Sequence, residues 1–226
     1  MPQTSSTWPS DTQSYALSVL NPTTTPSHDK FPSDDFYLHA AEISQVELAT
    51  IKAFAAVEGG PWGAFLPSGE PTILFERHLF HRLTNGKFNG KRIIDVSISN
   101  VANVISSPVP GGYGSPYIQH KKLAFAVGLD RDAALQSTSW GLFQILGLNH
   151  ERAGFTLLQS FINAMYRSAD DQLLAFVAFI KSDTKLHNAL QTKDWLTAAR
   201  RYNGAKQNGY DVKIKTEYER LSSNTK

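Results

Sequence analysis

The segment from Val46 to Pro61 constrains the fold most, because it predicts one apolar helix with a sharply defined end. Apolar side chains recur at helical spacing up to Val57, which is the pattern of a helix with one face in a protein core. Glu58 follows directly, and two glycines and a proline then stop the helix. The pattern therefore puts a single carboxyl where a buried helix face enters a tight turn.

Two interpretations of Glu58 are open at this point. Partial burial raises the pKa of a carboxyl because it disfavours the charged form. A glutamate that keeps its proton near neutral pH can act as the general acid of a glycoside hydrolase. The alternative is a solvated glutamate at the end of a glycine-capped helix.

Composition excludes several classes of protein. The chain has 226 residues, of which 41% are hydrophobic and 19% charged, as expected for a soluble globular protein with a real core. Its net charge of +2 is too small to indicate a nucleic-acid partner. It contains no cysteine, which excludes disulfides, thiolate metal sites and cysteine nucleophiles. We expect no cofactor.

The sequence also carries expectations about location. No apolar run is long enough for a membrane span. The first residues lack the basic and apolar regions of a secretory signal, so we expect synthesis in the cytoplasm. An action outside the cytoplasm would then need an unknown partner that delivers or releases the protein.

Two regions differ in composition. Residues 1–35 contain 18 Pro, Ser or Thr residues, which is typical of a flexible or loosely docked segment. We therefore predict a flexible tail over residues 1–38 and one folded domain over residues 39–226.

Local patterns predict the elements of that domain. Ser44-Gln45-Val46-Glu47 has the form of a capping box at the start of the first helix. A β-hairpin is predicted from Phe65-Leu66 and Thr72-Ile73-Leu74-Phe75, and a helix from Arg77 to Leu83. Ser115-Pro116 opens another helix, which closes at Gly128. From there the chain is predicted to be helical to its end, with N-caps that include Ser168 and Asp183.

Three segments in a fixed order resemble the lysozyme-like superfamily. They are Val57-Glu58-Gly59-Gly60, Ser137-Thr138-Ser139-Trp140-Gly141-Leu142-Phe143-Gln144-Ile145 and Ala198-Ala199-Arg200-Arg201-Tyr202-Asn203-Gly204.

Four further motifs resemble one family more closely, the N-acetylmuramidase domain of phage endolysins and toxic bacterial effectors. They are Phe65-Leu66-Pro67-Ser68-Gly69, Ile73-Leu74-Phe75-Glu76-Arg77-His78, Pro110-Gly111-Gly112-Tyr113-Gly114 and Ala133-Ala134-Leu135. The resemblance extends over about residues 42–222.

The resemblance implies both a fold and an activity. The fold is α+β but mainly α-helical, a lysozyme-like domain with a small β-hairpin beside the catalytic cleft. The activity is hydrolysis of the β-1,4 bond between N-acetylmuramic acid and N-acetylglucosamine in peptidoglycan, which lyses the bacterial cell wall. Glu58 matches the catalytic glutamate of the family.

Glu76 is the candidate for a second catalytic carboxylate. It follows the strand predicted to return beside Glu58, and it could act as a general base toward water. The alternative is a structural salt bridge with Arg77 or Arg82.

Four residues are candidates for binding substrate. Gln144 can both donate to and accept from an N-acetyl group, and Gly141 before it would let a sugar approach the backbone. Tyr202 would hydrogen-bond Glu58 or a sugar, whereas Asn203 belongs to a turn that could equally be a helix C-cap. Tyr113 lies on a glycine-rich loop that could cover the cleft, or it could simply anchor that loop.

Other polar residues are assigned to structure. His78 and His81 lack the further ligands that a metal site needs, so no metal is expected. Trp140 and Phe143 are expected in the core, and His120-Lys121-Lys122 on a solvated face. Two other functions remain open: a lytic transglycosylase, which needs only one carboxyl, and a non-catalytic wall-binding or virion structural protein.

Overall fold

The computed structural model describes residues 28–94, 102–205 and 208–223. The predicted tail therefore lies outside the described residues over 1–27. The helices are α1 Asp34–Ser44, α2 Leu48–Gly59, α3 Arg77–Leu83, α4 Pro116–Val127, α5 Arg131–Gln136, α6 Leu158–Arg167, α7 Ala169–Lys181, α8 Thr184–Thr192, α9 Trp195–Asn203 and α10 Tyr210–Ser223. The strands are β1 Ile73–Phe75, β2 Thr138–Trp140 and β3 Ile145–Leu146, and a 3-10 turn spans Gly147–Asn149.

The three strands form one antiparallel sheet in the order β1-β2-β3. Ile73 pairs with Trp140, and Trp140 with Ile145. The fold is therefore α+β and mainly helical, as predicted. None of the described helices has the length and hydropathy that a membrane span requires.

The predicted hairpin is present only in shortened form, and the main partner of its second strand is a different segment. The hairpin around residues 66–70 is reduced to a single bridge between Phe65 and Pro71. Strand β1 pairs instead with β2, in a region predicted to be helical. Gly147, directly after β3, has no room for a side chain, because a Cβ there would lie 2.2 Å from the carbonyl oxygen of Leu135. This close approach brings the chain after β3 against the end of α5.

The first helix begins inside the predicted tail. Ser33 caps it by accepting from the backbone N–H of Phe36, and its own N–H donates to Asp170 at 2.8 Å. Tyr37 and Ala40 are buried against the rest of the domain. The boundary predicted at residues 38 and 39 thus falls within α1.

Ser44 closes α1 and does not form the predicted capping box. Its hydroxyl donates to the carbonyl of Ala40 at 2.6 Å and accepts from the N–H of Val46 at 3.3 Å. The N-cap of α2 is Glu47, which makes no side-chain capping bond.

Helix α7 lies in the centre of the core. Ser168 caps it by accepting from the N–H of Asp171, which confirms that predicted cap. The predicted cap at Asp183 and the Pro116 start of α4 are also confirmed. Phe176 of α7 stacks on Phe143 with ring centroids 4.3 Å apart. This contact joins the central helix to the loop between β2 and β3.

Candidate active site

A cleft of about 320 Å³ runs between the end of α2, the sheet and the end of α9. Its lining residues are Glu58, Glu76, His78, Leu79, Ser139, Gln144, Ile145, Leu146, Asn149, Phe179, Tyr202 and Asn203. Both predicted carboxyls therefore face the same cleft, although Glu58 and Glu76 are 18 positions apart in the chain.

Glu58 occupies the last turn of α2, as the sequence predicts. Gly59 allows the helix end to pack closely, because a Cβ there would lie 2.5 Å from Cδ1 of Leu142. Gly60 then leaves the helix with a φ of 48°, a backbone conformation that favours glycine. The two glycines thus end the helix against the β2–β3 loop and leave Glu58 at the cleft.

The environment of Glu58 is that of a carboxyl that keeps its proton. Burial raises the pKa of Glu58 to about 7. The hydroxyl of Tyr210 donates a hydrogen bond to Oε1 of Glu58, which pulls the pKa in the opposite direction. Since Oε1 accepts this bond, Oε2 is the oxygen free to carry the acidic proton.

A cluster of aromatic rings provides the apolar surroundings of this carboxyl. The rings of Tyr202 and Tyr210 stack with centroids 6.2 Å apart, and both meet Phe54 edge-on. Apolar surroundings of this kind disfavour the ionised carboxylate, so they account for the raised pKa.

Tyr210, and not Tyr202, makes the hydrogen bond to Glu58. The hydroxyl of Tyr202 donates instead to the carbonyl of Phe143 at 2.5 Å. Tyr202 still lines the cleft. The sequence did contain a signal for Tyr210: Tyr210 and Ile214, four residues apart on α10, are both buried, which is the spacing of an apolar helix face.

Glu76 is held at the junction of β1 and α3. Its N–H donates to the carbonyl of Ser137 at 2.9 Å, and its side chain is 15% exposed. The hydroxyl of Tyr113 donates to both carboxylate oxygens, at 3.2 and 3.4 Å. Nδ1 of His78 lies 3.2 Å from Oε2, close enough for an ion pair with a protonated ring, although the geometry is not that of a hydrogen bond.

Arg77, one of the two residues considered as a salt-bridge partner of Glu76, binds the backbone of the glycine-rich loop. Its Nε donates to the carbonyl of Val109 at 2.9 Å, and its Nη2 to the carbonyl of Pro110 at 3.2 Å. Arg77 therefore holds the glycine-rich loop that carries Tyr113.

Gln144 lines the cleft, but its amide nitrogen is already engaged. It donates to the carbonyl of Gly141 at 2.8 Å and, more weakly, to that of Thr72 at 3.4 Å. The role predicted for Gly141 is wrong, because a Cβ there would lie 2.5 Å from the side chain of Gln172. Gly141 makes room for this buried glutamine and not for a sugar.

The remaining predicted residues are divided between cleft and core. Asn203, the last residue of α9, lines the cleft and is exposed. Tyr113 does not line the cleft, but its hydroxyl bonds Glu76, which does. Trp140 and Phe143 are both 1% exposed, which confirms their place in the core.

The predicted solvated face at residues 120–122 is wrong for two of its three residues. Lys122 is fully buried, and its Nζ donates to the carbonyl of Gly112 at 2.8 Å. His120 is only partly exposed, and its Nε2 lies 2.8 Å from the carbonyl oxygen of Pro71. The sequence separation of Lys122 from Gly112 explains why a local charge pattern did not reveal its burial.

No group of three or more potential metal ligands occurs within residues 28–94, 102–205 and 208–223. The cleft instead presents two carboxyls in different settings. One is in an apolar pocket, and the other accepts hydrogen bonds from the hydroxyl of Tyr113 and lies beside the imidazole of His78.

Comparison with known proteins agrees with the fold. The model of the N-acetylmuramidase family matches residues 47–222. The crystal structure of an endolysin from Burkholderia AP3 phage is similar at 33% identity, with a TM-score of 0.72 over 87% of this chain and 73% of the endolysin chain. Comparison with curated proteins gave no match. The family match over most of its length shows that this chain belongs to the N-acetylmuramidase family, the enzymes that hydrolyse the glycan strands of peptidoglycan.

Proposed function

We propose that Glu58 is the general acid that protonates the glycosidic oxygen between N-acetylmuramic acid and N-acetylglucosamine. The observation that carries this assignment is its position at the cleft, with a pKa raised to about 7 by burial. A carboxyl of this kind is still protonated in a large share of the molecules at neutral pH and can transfer its proton to the leaving group. Tyr210 fixes its orientation.

We propose that Glu76 is the general base that activates water on the opposite side of the bond. Its placement in the same cleft and its hydrogen bonds from Tyr113 support this role. A base that acts through water gives inversion at the anomeric carbon. The β-linked substrate would then release an α-configured muramic acid end.

Three cleft residues are proposed to bind the glycan. Oε1 of Gln144 is free to accept from an N-acetyl N–H, since only the amide nitrogen of this side chain makes hydrogen bonds to the described residues. The exposed amide of Asn203 can bond sugar hydroxyls. The ring of Tyr202 offers an aromatic face at the cleft wall. The role of Tyr113 is proposed to be indirect, through Glu76.

The products of peptidoglycan digestion test these assignments. Mass spectrometry should find reducing N-acetylmuramic acid ends, and NMR spectra recorded at once in D₂O should show the α anomer first. An initial β anomer would contradict Glu76 as the base. Anhydro-muramic ends would instead indicate a lytic transglycosylase, and no release of fragments would indicate a wall-binding protein.

The proposed site of action is the cell wall, where the substrate lies. That another factor delivers or releases the enzyme stays a prediction from the sequence.

A further inference from the structure

We propose that the loop Pro110-Gly111-Gly112-Tyr113-Gly114 is a fixed support that aims the carboxylate of Glu76, and that Gln119 and Lys122 are the positioning residues that hold it. The inference rests on the proposed role of Glu76. It gives a function to two buried polar side chains that do not line the cleft.

The side chain of Gln119 connects strand β1 to the glycine-rich loop. It is 1% exposed on α4, and its Oε1 accepts from the N–H of Phe75 at 3.1 Å. Its Nε2 donates to the carbonyl of Tyr113. One side chain thus connects the residue before Glu76 with the residue whose hydroxyl bonds Glu76. The separation between Tyr113 and the end of β1 is set by a single rigid amide.

Lys122 holds the same loop one residue earlier. Its ammonium group donates to the carbonyl of Gly112 at 2.8 Å and lies 5.7 Å from the centre of the Phe75 ring. Burying an ammonium group has a high free-energy cost unless it is compensated by such contacts. Burial indeed lowers the pKa of Lys122 to about 8. A lysine needed only for solubility would remain at the surface.

The opposite side of the loop is held by Arg77, through the carbonyls of Val109 and Pro110. Side chains therefore bind four backbone carbonyls between residues 109 and 113. Gly111, Gly112 and Gly114 have φ values of 99°, 68° and 76°, so the backbone follows a path that other residues rarely adopt. This loop is anchored on both sides and does not have the features of a mobile lid.

The consequence for Glu76 is a fixed orientation. The hydroxyl of Tyr113 contacts both oxygens of the carboxylate, which limits rotation of the carboxylate plane. A general base must present one oxygen to water in a defined direction, and small displacements reduce the rate strongly. Lys122 acts on Glu76 mainly through the loop and this hydroxyl, whereas Gln119 also acts through its hydrogen bond to Phe75, the residue before Glu76.

A double-mutant cycle separates positioning from plain stability. The variants are Tyr113→Phe, Lys122→Met and the double variant, assayed for kcat and KM on soluble uncrosslinked glycan strands. Tyr113→Phe should lower kcat by about tenfold with little change in KM. Lys122→Met should also lower kcat. In the Tyr113→Phe background it should cause almost no further loss of kcat, because the hydroxyl that connects the loop to Glu76 is already missing. Fully additive losses would overturn the proposal.

Additional variants keep the test decisive if Lys122→Met folds poorly. Lys122→Gln keeps an N–H donor without the charge and should restore part of kcat. Gln119→Met should lower kcat, and its loss should be smaller in the Tyr113→Phe background but not zero, because the hydrogen bond to Phe75 is lost as well. The exposed neighbours provide matched controls, since Lys121→Met and Tyr117→Phe should leave kcat unchanged. Variants that lower the melting temperature but not kcat would contradict the positioning role.

Glu76→Gln, measured beside them, distinguishes the two possible failures. Near-normal turnover in Glu76→Gln would refute the general base itself. If Glu76→Gln turns over slowly but the losses of kcat in the double-mutant cycle are additive, the general base stands. Only the positioning role of Gln119 and Lys122 would then be refuted.

Discussion

The hydroxyl of Tyr210 donates a hydrogen bond to Oε1 of Glu58, although 152 positions separate the two residues in the chain. The bond joins the start of α10 to the end of α2. It orients the carboxyl and opposes the rise in its pKa that burial causes. The properties of the proposed general acid therefore depend on both helices.

Replacing Glu58 with Gln should abolish most of the activity. The amide keeps the shape of the side chain and can still accept from Tyr210, but it cannot supply a proton. Turnover should fall by about 10²–10⁴-fold, the usual contribution of a general acid. Release of reducing ends from purified peptidoglycan measures this. Turnover within a few-fold of the parent enzyme would refute the assignment.

The same substitution should stabilise the protein at alkaline pH. The pKa of Glu58 is about 7 in the folded state against 4.5 for an ordinary glutamate, so the folded state binds more protons between these values. Stability is therefore lost as the pH rises through this range, by about 3 kcal/mol in total. Urea unfolding should find Glu58→Gln more stable than the parent at pH 8 and similar to it near pH 4. An equal difference at both pH values would contradict the raised pKa.

Replacing Tyr210 with Phe should move the pH dependence of catalysis upward. The hydrogen bond from Tyr210 lowers the pKa of Glu58, so its removal should raise that pKa further. The alkaline limb of kcat/KM should shift to higher pH, while kcat at pH 6 falls because the carboxyl is less well oriented. Tyr218→Phe, on the same helix but bonded to Glu47, is the matched control and should leave the profile unchanged. A shift to lower pH would contradict the account.

Replacing Glu76 with Gln should show whether this residue acts in catalysis or only stabilises the fold. The amide can still accept from Tyr113, so the melting temperature should change little. Turnover should fall by orders of magnitude with KM nearly constant, because the loss falls in the transition state. Glu70→Gln, at a more exposed carboxyl in the preceding turn, should retain activity. A stable Glu76→Gln variant with near-normal turnover would remove Glu76 from the mechanism.

The position of the domain boundary can be tested by truncation. A chain that starts at His39 loses the first half of α1, including buried Tyr37 and the bond from Ser33 to Asp170. Its melting temperature should fall by at least about 5 °C. A chain that starts at His28 keeps these contacts and should melt like the full chain. Equal melting of both would show that α1 adds no stability.

The sequence predicted best what depends on neighbouring residues. The end of α2 at Glu58 follows from an apolar helical face and two glycines, and the caps at Ser168 and Asp183 follow from side chains that bond within their own turn. These features need no knowledge of distant contacts.

Apart from the capping box at Ser44, which is a local error, its main errors concern contacts between distant segments. Lys122 was assigned to solvent because its neighbours are charged, but the carbonyl of Gly112 gives it a partner inside the protein. Strand β1 was paired within its own hairpin, whereas its partner is β2, beyond α4 and α5. Tyr202 was considered as the hydrogen-bond partner of Glu58, but the packing of α10 on α2 places the hydroxyl of Tyr210 there instead.

The titration of Glu58 tests the central claim most directly. NMR spectra of protein labelled with ¹³C at the glutamate side-chain carboxyls, recorded from pH 3 to 9, report each carboxyl separately, and the Glu58→Gln variant assigns the resonance. The account predicts one glutamate that titrates near pH 7 and is absent from the variant. A Glu58 carboxyl that titrates near 4.5, as an exposed glutamate does, would contradict its role as a general acid held ready by burial.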